Sequence, residues 1–161
     1  MKLLMVCMGN ICRSPMMEGW LADAARRHPG LAHLQVDSAA IGAWHVGQPP
    51  DRRAVATAAG HGVDISMQRA RQLRVADFRD FNLILFADAD TLRDGRRLAG
   101  GQGDARTLRY LDWADVDGGA ADRRDIADPY YGDLQDFETA WHDIAQGGER
   151  IVQRLLREGA A

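Results

Sequence analysis

The sequence predicts an α/β fold, a parallel sheet covered on both faces by helices in three layers. Two apolar runs, Lys-Leu-Leu-Met-Val at residues 2–6 and Asn-Leu-Ile-Leu-Phe at 82–86, lack polar alternation and read as strands buried on both sides. Segments with a helical apolar period separate the candidate strands. Glycine, proline and asparagine punctuate the boundaries. Strands that alternate with helices run parallel, because each return to the sheet needs a crossover.

The first strand, 2–6, stops at a Gly-Asn turn signal. Ser14-Pro15 then opens a helix with a capping hydroxyl and a proline in the first turn. That helix carries Met17, Leu21, Ala24 and Ala25 on one face and ends before Pro29-Gly30. Residues 34–40 alternate around Val36 and form the second strand. Pro49-Pro50-Asp51 breaks the chain and starts a helix through Ala59, stopped by Gly60 and Gly62. A short helix at 77–81 leads into the third strand, 82–86. A helix follows over 88–98, closed by Gly100-Gly101, and 107–111 is the fourth strand. Residues 112–133 have little periodicity and many turn formers, so a long loop is expected, and long loops in compact domains are usually functional. The last helix, 137–156, turns Phe137, Trp141, Ile144, Ile151 and Leu155 inward.

The chain of 161 residues suits one domain, 1–161. A domain of this size buries roughly 70% of its unfolded surface and needs no covalent staple. With a net charge of −3, it has no overall attraction to nucleic acid or to an anionic membrane. The longest apolar run is too short for membrane insertion. Lys2 precedes only a few apolar residues with no small-residue cleavage site after them, so a cytoplasmic protein is expected. Cys7 and Cys12 are too few for a disulfide framework or a four-ligand zinc site. His28, His33, His45, His61 and His142 are scattered away from both, so neither metal nor cofactor is expected. Lys2 is the only lysine, and the arginine bias suggests a GC-rich, bacterial genome.

Cys7-Met8-Gly9-Asn10-Ile11-Cys12-Arg13-Ser14 lies between the first strand and the first helix. A loop with five residues between Cys7 and Arg13 can curl so that successive backbone N–H groups face one point. That makes an anion nest at the positive end of a helix. Gly9 and Asn10 tolerate the left-handed backbone angles such a curl demands. Arg13 offers a planar fork matched to two phosphate oxygens. Cys7 would sit beneath the phosphorus, where the same field favours its thiolate, and Ser14 can donate a hydroxyl to the sulfur. A nucleotide-binding P-loop needs a lysine after its last glycine, and this chain has none beyond Lys2.

The segment Val6–Pro15 resembles the signature of the low-molecular-weight protein tyrosine phosphatases. A second match, Asp128-Pro129-Tyr130-Tyr131-Gly132, lies far downstream, and Asp37-Ser38-Ala39-Ala40, Trp44, Val46-Gly47 and Ala70-Arg71-Gln72 match in order between them. The resemblance spans essentially the whole chain. It implies a four-stranded parallel sheet and a protein tyrosine phosphatase that works through a phosphocysteine. Cys7 would be the nucleophile, Arg13 the phosphate clamp and Asp128 the general acid and then base. A loop carboxylic acid can give the departing phenol oxygen its proton and then activate water. Trp44, Tyr130 and Tyr131 would wall the cleft around a phenyl ring. Ser38 would hold Asn10. The family often has a histidine in that network where this chain has Gln68. The partners implied are a phosphotyrosine-containing protein, an opposing tyrosine kinase and inorganic phosphate as product.

Three other functions meet obstacles in the sequence. Arsenate reductases of similar architecture use further cysteines in a downstream segment, and residues 86–98 contain none. Protein arginine phosphatases of the family carry threonine at the position of Ile11. A phosphotyrosine-binding module without activity needs neither a nucleophile nor an acid.

Overall fold

The computed structural model describes residues 1–114 and 124–159. The elements are β1 (Lys2–Cys7), α1 (Arg13–Arg27), β2 (Gln35–Ala40), α2 (Arg52–Gly60), α3 (Asp77–Asp80), β3 (Leu83–Phe86), α4 (Ala89–Ala99), β4 (Arg106–Arg109), α5 (Tyr110–Ala114) and α6 (Leu134–Gly159). A single 3₁₀ turn at Pro29–Leu31 follows α1. The four strands pair in parallel in the order β2-β1-β3-β4, as the alternation of strands and helices requires.

The two continuous apolar runs occupy the middle of the sheet. Alternate residues of β1 feed two cores: Leu3, Met5 and Cys7 face α1, α5 and α6, while Leu4 and Val6 face Phe78, Ala99 and Leu73. Helix α6 lies directly against α1, where a Cβ at Gly148 would meet the Trp20 ring at 2.3 Å. The expected inner face of α6 is buried along its length. From β1 the chain goes out to β2, then crosses to β3 on the other side. The reversal falls at the carboxyl ends of β1 and β3, the place where open parallel sheets leave a crevice for ligands.

Three boundaries differ from expectation in an informative way. Helix α1 starts at Arg13 with no side-chain cap, so the Ser14 hydroxyl is not a cap; it is turned back toward Cys7. The fourth strand ends at Arg109 and passes straight into α5. Tyr110, Trp113 and Ala114 have helical spacing and are buried beside α6, with the Tyr110 hydroxyl donating to Ile144 O at 2.9 Å. Burial of two large aromatics thus overrides the turn formers around them, and the expected loop at 112–133 begins later. Residues 115–123 of it lie outside the described residues. At the other end, Asp133 and Asp136 cap one another's backbone N–H groups and start α6 before Phe137.

Candidate active site

Cys7 ends β1 and Arg13 begins α1, so the loop between them sits at the crevice. The carbonyls of Cys7, Met8, Ile11 and Cys12 accept bonds from the N–H groups of Ile41, Gly42, Asp51 and Met16. In a planar trans peptide the next residue's N–H points opposite to the carbonyl. The N–H groups of Met8, Gly9, Cys12 and Arg13 therefore face the other side, toward a cavity of about 410 Å³ lined by these residues. Asn10 N–H is directed at Cys7 Sγ at 3.3 Å. Of the two residues expected to be left-handed only Asn10 is, with φ 56°. At Gly9 a Cβ would stand 3.1 Å from the His45 ring and would push that ring aside by a few tenths of an ångström.

The cysteine sulfur lies 3.0 Å from Ser14 Oγ. Asn10 Nδ2 donates to Ser14 Oγ (2.7 Å) and to Ser38 Oγ (2.9 Å), the bond expected of Ser38. Both cysteines are free and buried. Burial pushes the Cys12 thiol far up, and the charges of Asp51, Cys7 and Asp128 add to the rise, which keeps Cys12 a neutral thiol.

Arg13 is almost wholly buried. Its Nη1 donates to Asp88 Oδ2 (2.6 Å) and to Ile126 O (2.8 Å), while Nη2 lies 3.5 Å from Asp128 Oδ2. One nitrogen is thus anchored, leaving the rest of the fork to face the cavity. Asp88 divides its oxygens. Oδ1 accepts the Thr91 N–H at 2.8 Å and caps α4, while Oδ2 holds Arg13. Burial opposes its ionisation, yet the Thr91 N–H and the Arg13 guanidinium hold the Asp88 carboxyl below its ordinary range.

The Asp128 carboxylate is about half exposed at the cavity wall, and its Oδ1 accepts the Tyr130 N–H at 3.1 Å across Pro129. Trp44 and Tyr130 also line the cavity. Tyr131 reaches it only at the outer rim, 94% exposed and set edge-on to Tyr130 with ring centroids 4.9 Å apart. Trp44 is 67% exposed, so it is not a core aromatic. Arg53 ties the acid-bearing loop down. It pairs with Asp51 at 3.0 Å, donates to Tyr130 O (2.9 Å) and Gly132 O (3.0 Å), and lies over the Phe137 ring. Among the described residues no cluster of three or more metal-ligating side chains occurs, and no helix is long and apolar enough to cross a membrane.

Cys7, Arg13, Ser14, Ser38 and Asp128, each singled out from the sequence, all lie around this crevice. The sequence did not single out Asp88, Arg53 or His45, nor Glu18, whose Oε2 accepts the Ser38 hydroxyl. The capping pattern Asp88-x-x-Thr91 and the four-residue spacing of Ser14 and Glu18 in α1 were the available signals.

The family model described as low molecular weight phosphotyrosine protein phosphatase matches residues 2–161. A low molecular weight protein-tyrosine-phosphatase of Streptomyces coelicolor is 41% identical over 165 aligned residues, covering 99% of this chain and 98% of its own. The crystal structure of YfkJ from Bacillus subtilis superposes with a TM-score of 0.87 at 34% identity, covering 98% of this chain and 96% of that one. A Drosophila arginine phosphatase structure also has a TM-score of 0.87, at 28% identity, with 96% and 97% covered.

Proposed function

The chain belongs to the low molecular weight phosphotyrosine protein phosphatase family and is a protein-tyrosine-phosphatase; we propose that Cys7 is its nucleophile, Arg13 its phosphate clamp and Asp128 its acid and base. The observation that carries this reading is the convergence of Cys7, Arg13 and Asp128 on one cavity with aromatic walls.

Cys7 Sγ, as thiolate, attacks the phosphorus and forms the S–P bond while the bond from phosphorus to the phenol oxygen breaks. Asp128 gives that oxygen its proton as it leaves. Water then attacks the phosphocysteine, Asp128 takes its proton, the S–P bond breaks and inorganic phosphate departs. The Ser14 hydroxyl, 3.0 Å from the sulfur, stabilises the thiolate both before attack and as leaving group. The loop N–H groups of Met8, Gly9, Cys12 and Arg13 and the Arg13 fork carry the charge of the equatorial oxygens. Trp44, Tyr130 and Tyr131 receive the substrate ring. A phosphotyrosine protein, the product of a tyrosine kinase, is the substrate, met in the cytoplasm, and the chain acts as a single domain.

Cys7→Ser should abolish turnover and keep vanadate binding, since the N–H groups and Arg13 remain. Hydrolysis above about one part in a thousand would overturn the nucleophile assignment. Asp128→Asn should slow phosphotyrosine hydrolysis by roughly 10²–10⁴-fold, and an aryl phosphate with a very good leaving group much less. Equal losses on both would remove Asp128 from the role. Phosphoarginine and arsenate assayed beside phosphotyrosine test the substrate class: Ile11 at the cavity wall favours a phenyl ring over a guanidinium.

A further inference from the structure

The support of the phosphate loop runs outward through hydrogen bonds whose direction can be assigned. Asn10 Oδ1 accepts the Arg71 N–H at 3.1 Å, which orients the amide. Its two amide hydrogens go to Ser14 Oγ and Ser38 Oγ. Each hydroxyl that accepts from Asn10 keeps one hydrogen to give. That of Ser14 has Cys7 Sγ at 3.0 Å, with Ala39 O at 3.5 Å as the competing acceptor. That of Ser38 goes to Glu18 Oε2 at 2.5 Å. Gln68 turns its Nε2 to Pro15 O at 3.1 Å, and its buried Oε1 has no hydrogen-bond partner among the described residues. The chain of bonds therefore ends on Glu18.

We propose that Glu18 is a positioning residue for the phosphatase reaction: as terminal acceptor beyond Ser38, it fixes Ser38 and Asn10 so that the Ser14 hydrogen is committed to Cys7 Sγ. The proposal rests on Cys7 being the nucleophile. Ser14 and Glu18 are four residues apart in α1, so its first turns stack them on one side, next to Asn10 in the preceding loop. Asn10 holds a left-handed backbone at φ 56°, a conformation that costs a non-glycine residue about 1 kcal/mol and needs such anchoring. Two charged groups face Glu18 from other elements. Asp37 stands on β2, and Arg71 lies before α3, itself held between Asp37 and Asp77 at 3.1 Å each. Burial pushes the Glu18 carboxyl up to about 7; the Ser38 hydroxyl opposes the rise, Asp37 adds to it and Arg71 opposes it. Without the acceptor, the Ser38 hydroxyl is free to rotate, Asn10 loses an anchor, and the Ser14 hydrogen can turn to Ala39 O.

The test is the rate at which iodoacetamide alkylates Cys7, read on the Cys7 peptide by mass spectrometry in the full-length protein at fixed pH. Glu18→Leu should slow it about tenfold, the worth of one hydrogen bond to a charged group. Glu18→Gln, whose carbonyl still accepts more weakly, should slow it about threefold, and the two effects should vanish in a Ser38→Ala background. The isosteric glutamine variant decides the matter if the leucine variant does not fold. An unchanged rate, or the same slowing with Ser38→Ala, overturns the proposal. Alkylation needs no turnover, so hydrolysis surviving in Cys7→Ser would overturn the nucleophile assignment separately.

Discussion

Replacing Arg13 with lysine keeps the charge and removes the fork. In the structure Nη1 serves Asp88 Oδ2 and Ile126 O, and the remaining N–H groups are left for phosphate. A single ammonium cannot do both. If lysine stays with Asp88, the transition state loses its charge-assisted bonds from this residue; each is worth about 1.5–3 kcal/mol, so kcat/KM falls by about 10–10²-fold per bond. If lysine turns to phosphate, Ile126 O loses its donor and Asp88 its partner. An orphaned buried acceptor costs about 1–3 kcal/mol, which lowers Tm by about 2–4 °C for each kcal/mol in a chain of this size. The assay is kcat/KM for phosphotyrosine and for p-nitrophenyl phosphate, with thermal unfolding of both proteins. Because Arg13 acts on the phosphoryl oxygens, the two substrates should lose equally, unlike Asp128→Asn. A lysine variant within threefold of wild type would refute the reasoning, as would a loss confined to the poorer leaving group.

Arg53→Met should loosen the loop that carries Asp128, because the fork joins Tyr130 O and Gly132 O to Asp51. Phosphotyrosine hydrolysis should fall about tenfold while p-nitrophenyl phosphate, needing less protonation, changes little; equal losses would place the effect elsewhere. Glu18 also makes stability depend on pH. Its carboxyl sits at about 7 in the fold against 4.5 ordinarily, so its contribution is complete below 4.5 and is lost as pH rises through 7. Glu18→Gln should gain on wild type over that range by at most about 3 kcal/mol, and less because the side chain is partly exposed. Parallel melting curves for the two proteins from pH 5 to 8 would disprove the shift.

What the sequence determined by itself is local. The apolar runs of β1 and β3 and the stripe of α6 follow from periods and from the chemistry of one or two neighbours. The Cys7–Arg13 loop was legible for the same reason: its donors, its turn residues and the strand and helix that flank it are contiguous. Ser38 and Asp128 were legible only through resemblance, since a serine or an Asp-Pro pair has an ordinary turn or surface reading. Tertiary structure decided the rest. Asp88 lies 75 residues from Arg13 in the chain, and Ile126 113. They meet because the crossover from β2 puts β3 beside β1, bringing Ala87 and Asp88 to the crevice where α1 begins. Tyr110 and Trp113 became helix rather than strand and loop because α6 offered a surface to bury them. Glu18 looks in sequence like any solvated helix glutamate. Only packing against β2 and the Arg71 segment removes it from water, and a carboxyl so placed needs the Ser38 hydroxyl that links it to the loop.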